Sequence, residues 1–198
     1  MEFSNRSAGD RKAVVIMERE TWFAHALAGE VLDKPKLSIW LILIPILFVF
    51  YFEQQRKYTQ GRRAFAENYL KVRRRAVEAA AGGLQKGEPP DAMEVALSSD
   101  LPEATRRHYA PVLSLLIGHY TALLGAEGED YAALVRAAYK GREAYLDFFG
   151  RLNRAEHDLF EALRPRLEET SEGVADIISR MEDASERLRL DEAGRIFG

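Results

Sequence analysis

The chain has 198 residues, 47% of them hydrophobic, and a formal net charge of -3. That leaves room for one domain plus an anchor, or two very small domains, and excludes a polytopic membrane protein. The absence of cysteine rules out disulfides, thiolate metal sites and cysteine nucleophiles, and fits a reducing compartment.

Residues 1–36 form the first segment, with six basic and six acidic side chains. Within it, residues 11–33 have helical spacing: Ile16, Phe23, Leu27 and Val31 share a face, Ala13, Trp22 and Ala24 lie beside it, and Glu20 interrupts the stripe. Gly29 weakens the end and Pro35 stops it. Two readings stand. The helix lies on a bilayer with Trp22 and Phe23 inserted at the interface, or it packs on a partner or on the protein itself.

Residues 37–52 (LSIWLILIPILFVFYF) carry no charge and hold twelve Leu, Ile, Val or Phe side chains. At roughly -0.3 to -0.6 kcal/mol each, these favour membrane insertion by about 4 to 7 kcal/mol before the costs of Pro45 and the polar groups. The run is apolar on every face, and a small domain has little capacity to surround such a helix. Trp40 and Tyr51 near its ends suit the headgroup region, and Lys34, Lys36, Arg56 and Lys57 flank it with stems that can snorkel. Sixteen helical residues rise ~24 Å against a hydrocarbon core of ~30 Å, so the span is marginally short. Pro45 predicts a central kink. A one-leaflet wedge with both ends cytoplasmic competes with the span, although each arm would reach only about 12 Å and no Gly or Asn helps Pro45 to turn. A buried core helix is the third reading. The sequence favours a single transmembrane span. A cleaved signal peptide is not expected, because 36 mixed-charge residues precede the run.

Residues 53–75 carry eight basic side chains against Glu53 and Glu67, for a net +6. The remainder, 76–198, is at -9. Basic residues crowd the C-terminal flank of the apolar run, which predicts a cytoplasmic C-terminal body and an outward-facing tail. Arg56, Lys57, Arg62 and Arg63 fix topology or meet anionic lipid. Arg73–Arg75, roughly 30 Å further along a helix, suit contact with the acidic body instead. A stalk helix is predicted over 53–82 with a heptad seam of Tyr58, Phe65, Tyr69, Val72, Ala76 and Ala79, ended by Gly82-Gly83.

Residues 83–198 read as an acidic antiparallel bundle packed with the stalk. The spacing predicts a short helix over 91–97, then two helices divided at Pro111, the second running Val112–Leu124. Leu134, Ala138, Gly141, Tyr145, Phe148, Leu152, Ala155, Leu159 and Ala162 keep 4-3 spacing, predicting one helix over 129–164, about 54 Å long and broken at Pro165. A last amphipathic helix is expected over 171–190. The fold class is all-α: a single transmembrane helix continuing into a stalk, then a cytoplasmic bundle.

No nucleotide-binding, hydrolase or H-E-x-x-H motif occurs, and no histidine follows a glutamate by three residues as a di-iron bundle requires. His119 reads as a satisfied, half-buried histidine. Glu156-His157 reads as a solvated face, and Tyr131, Tyr139, Tyr145, Phe148 and Phe149 as core. No catalytic residue, metal or cofactor is assigned, and nucleic acid is not an expected partner. The function expected is a membrane-anchored adaptor or scaffold that docks a protein partner, or self-associates, through its cytoplasmic heptads. The alternatives are an anionic-lipid binder using the N-terminal helix and basic collar, and an enzyme with dispersed residues.

Overall fold

Each amphipathic run in the sequence becomes a helix, though not always with the expected ends. The computed structural model describes residues 2–31, 58–98, 103–168 and 174–198. They form α1 (Glu2–Val31), α2 (Tyr58–Lys86), α3 (Ala92–Leu97), α4 (Glu103–Gly125), α5 (Tyr131–Tyr139), α6 (Arg142–Glu168) and α7 (Val174–Phe197). No strand occurs among the described residues, so the chain is an all-α bundle.

The N-terminal helix is a wall of the bundle. Ile16, Phe23 and Val31 are 0% exposed, and Leu27 is buried with them in the main core. Burying each such side chain contributes about 1.5–3 kcal/mol. The interface reading of Phe23 is thereby corrected: its ring stacks on Tyr69 at 5.9 Å and is out of reach of lipid. Trp22, on the outer face, is 44% exposed, with the Arg195 guanidinium 4.9 Å from its ring centre.

Helices α1 and α2 run antiparallel. Arg62 Nη2 donates to the Gly29 carbonyl (3.1 Å), Tyr69 faces Phe23, and Arg73 Nε lies 3.7 Å from Glu20. Moving toward the N-terminus of α1 therefore means moving toward the C-terminus of α2. It follows that Val31 and Tyr58, which bracket residues 32–57, sit at the same end of the bundle. Helix α7 is antiparallel to α1 as well, through Glu30–Arg187 and Arg19–Glu192. It is also antiparallel to α6, through His157–Glu182 and Asn153–Arg189.

Four predicted helix boundaries are corrected. Helix α2 passes through Gly82-Gly83 and stops at Lys86, where Gly87 takes φ 73° and turns the chain. Gly83 serves close packing: a Cβ there would lie 2.6 Å from Pro90 Cδ and 2.9 Å from the Glu88 carbonyl oxygen. Pro111 does not divide α4, and Pro165 does not end α6. Each proline frees the carbonyl four residues earlier. Those carbonyls belong to Arg107 and Glu161, both exposed, where water can satisfy them. The single 129–164 helix is instead two. Lys140 caps α5 in the left-handed conformation (φ 56°), its N–H donating to the Arg136 carbonyl, and α6 starts at Arg142 in a new direction. The heptads thus serve a globular bundle, with Ala162 exposed.

Among the described residues no helix is long and apolar enough to cross a membrane. Residues 37–52, with Trp40, Pro45 and Tyr51, lie outside the described residues, as do Arg56 and Lys57.

Candidate functional site

The helices converge on charge. Arg19 and Glu20 (α1), Arg73 (α2), Glu156 (α6), and Arg189 and Glu192 (α7) meet in the interior, three guanidiniums and three carboxylates. Arg19 Nη1 donates to Glu20 Oε1 (2.8 Å), while its Nε and Nη2 grip both oxygens of Glu192. Glu156 accepts from Arg73 (2.9 Å) and doubly from Arg189 (2.8 and 3.1 Å), and Arg189 also reaches Asn153. Arg73 donates to the Tyr69 hydroxyl as well (2.7 Å).

Forked, bidentate grips and stacking explain arginine here; lysine would supply only a point charge. The Arg73 guanidinium lies 4.1 Å from the Tyr69 ring centre, Arg19 4.8 Å from Phe23, and Arg189 5.5 Å from Phe149. Burial alone would raise the Glu156 carboxyl pKa. The Arg189 and Arg73 charges outweigh it and hold Glu156 below its ordinary value. Burial pulls the Arg73 pKa down, but Tyr69 and Glu156 more than compensate, and the group stays charged.

A tyrosine–histidine chain extends the network. The Tyr145 hydroxyl donates to Glu192 (3.2 Å) and lies 3.1 Å from that of Tyr131, which in turn approaches His119 Nε2 at 3.5 Å. His119 Nδ1 is 2.6 Å from the Tyr139 hydroxyl, and the ring stacks on Phe148 at 4.4 Å. Burial, then the nearby Arg19, Arg73 and Arg189 charges, hold His119 well below its ordinary pKa, so it is neutral. His119 is satisfied as expected, though more deeply buried than expected. The aromatic group is core, as its spacing indicated.

Beside this network a cavity of about 350 Å³ opens between α2, α4, α6 and α7, with Leu27 of α1 at its edge. Its floor includes Arg73 and Glu156, and Arg154, His157, Glu182 and Glu186 line it on the outer side. His157 Nδ1 and Glu182 Oε1, 2.9 Å apart, bridge α6 to α7 there. The hydrogen bond and charge of Glu182 raise the His157 pKa above its ordinary value.

Of the residues singled out from sequence, Arg62 ties α2 to α1, and Arg63 makes an exposed pair with Glu67 (2.9 Å). Arg73, expected to meet the acidic body, does so. Glu156 was assigned to a solvated face; its side chain is only 15% exposed and lies between two arginines. Glu20, Arg189 and Glu192 were missed as a group. The available signal was charge on apolar stripes: Glu20 sits between Ile16 and Phe23, and Glu192 continues the Met181, Ser185, Leu188 face toward Ile196. Among the described residues no group of three or more His, Asp or Glu could hold a metal ion. Comparison with protein-family models, curated proteins and solved structures finds no match for this chain.

Proposed function

We propose that the protein is a membrane-attached helical scaffold whose whole bundle stands on one side of the bilayer, held by residues 37–52 inserted into a single leaflet. The observation carrying this reading is the antiparallel packing of α1 on α2, which returns the chain to the end of the bundle from which it left. A single span would put α1 across the membrane from α2 and α7. It would separate Glu20 from Arg73 and Arg19 from Glu192, and strip Ile16, Phe23, Leu27 and Val31 from the core. Breaking buried ion pairs alone costs about 3–5 kcal/mol each. That exceeds any gain from reaching the second interface with a run already short of ~30 Å.

A single-leaflet anchor would let the basic residues on either side of the run in sequence, Lys34, Lys36, Arg56 and Lys57, act together. Each basic residue near an anionic leaflet contributes about 1 kcal/mol, and the positive-inside preference makes that face cytoplasmic. The acidic remainder, at -9 over residues 76–198, offers its surface to a protein partner.

Replacing residues 37–52 by a Gly/Ser linker tests the attachment. The variant should leave the membrane fraction yet keep its cooperative thermal transition, because α1 and α2 pack through other residues. Retention on the membrane after a high-salt wash would refute the assigned anchor. Cross-linking in native membranes tests the scaffold role separately, and migration of the full chain solely as a monomer would remove it.

A further inference from the structure

The cavity beside the ion network holds three polar side chains that the fold leaves unused. Asn68 is 8% exposed, Tyr109 5% and Ser185 8%, and all three line the cavity. Their side chains have no hydrogen-bond partner among the described residues. Their polar atoms are not sealed from solvent; they open onto the cavity, where water or a ligand can meet them. The remaining wall is apolar, formed chiefly by Phe65, Val112, Leu159, Phe160, Ile177 and Met181.

We propose that this cavity binds an uncharged single-chain amphiphile, its hydroxyl- or amide-bearing head meeting Asn68, Tyr109 and Ser185 and its tail lying along the apolar wall. Head charge is set by what is already paired. Arg73 and Glu156 on the floor hold each other, and His157 and Glu182 hold each other on the outer side. A charged head there would lose its hydration, and the exposed Arg154 and Glu186 of the lining, one charge of each sign, supply no net counter-charge. Size sets the tail: about 350 Å³ is near the lower limit of ligand sites, ~300–1,000 Å³, which suits one chain and excludes two. This assignment stands independently of how residues 37–52 meet the membrane.

The test is photo-cross-linking of the full chain in phosphatidylcholine nanodiscs, using a monoacylglycerol with a diazirine in its tail. Labelled peptides should contain Phe65, Ile177 or Met181, and excess unlabelled monoacylglycerol should cut the labelling at least about tenfold, a saturable site of ordinary affinity. Met181→Trp, which fills the cavity, should abolish it, and Asn68→Leu should weaken it. A fatty acid and an alkyl trimethylammonium carrying the same tail should label these peptides at least about tenfold less. Labelling equal to that of the charged probes would overturn the head assignment. Labelling that excess ligand does not compete, or that misses these peptides, would overturn the site. A short-tailed monoester supplied from water distinguishes the source. Competition by it assigns an aqueous ligand, competition only by disc-loaded ligand assigns a membrane one, and competition by neither refutes the proposal.

Discussion

Arg73 and Arg189 approach Glu156 from different helices, so one carboxylate on α6 holds α2 and α7 together. Removing it leaves two buried guanidiniums facing each other. Glu156→Gln should therefore destabilise the bundle by about 3–5 kcal/mol in urea unfolding. Arg63→Ala, which breaks a pair 79% and 58% exposed, should cost at most about 1 kcal/mol. Similar losses in the two variants would show that the buried network has no special weight.

The same carboxylate sets the acid limit. Its folded pKa is depressed by Arg189 and Arg73 acting against burial. Its stabilisation is therefore complete above the unfolded carboxylate value of ~4.3 and is lost as pH falls through the lower folded value. Wild type should lose stability steeply below about pH 4, more so than Glu156→Gln, whose amide does not titrate. Parallel stability–pH curves for the two proteins would contradict this.

His157 acts in the opposite direction. Its pKa is raised by Glu182, so its contribution is fully present below the unfolded value of ~6.5 and disappears as pH rises through the folded one. Glu182→Gln should lower the melting temperature at about pH 5.5, and the difference from wild type should shrink as pH rises through the raised folded value of His157. The pair is largely solvent-exposed (52% for His157), so the difference should shrink in high salt.

Two adjacent aromatic residues should behave unlike each other. Phe23→Ala empties a fully buried site and should cost about 3–5 kcal/mol. Trp22→Ala, at a 44% exposed position, should change stability by less than about 1 kcal/mol. Equilibrium unfolding of both distinguishes a core helix from one lying on lipid.

The helical periodicity carried most of this fold, because apolar spacing reports burial directly: Leu134, Tyr145, Phe148, Leu152 and Leu159 are all buried. Helix ends were less legible. A proline is tolerated where the residue whose carbonyl it frees is exposed, as at Pro111 and Pro165, and exposure is not written in the local sequence. The break at Lys140 was hidden because a lysine, and not the neighbouring Gly141, adopts the left-handed conformation. The ion network was least legible. Charge pairing between residues 173 apart, such as Arg19 and Glu192, follows from tertiary packing alone. The cavity had no sequence signal, since Asn68, Tyr109 and Ser185 look like ordinary helix residues until neighbouring helices enclose them.

Sidedness is the central claim, and the absence of cysteine makes it directly measurable. Val14→Cys on α1 and Leu190→Cys on α7 each introduce a sole thiol at an exposed position, 57% and 46% in the native chain. With a membrane-impermeant maleimide, both should be protected in intact cells and both labelled once the membrane is permeabilised. Labelling of Val14→Cys from outside while Leu190→Cys stays protected would contradict the account and restore a single span.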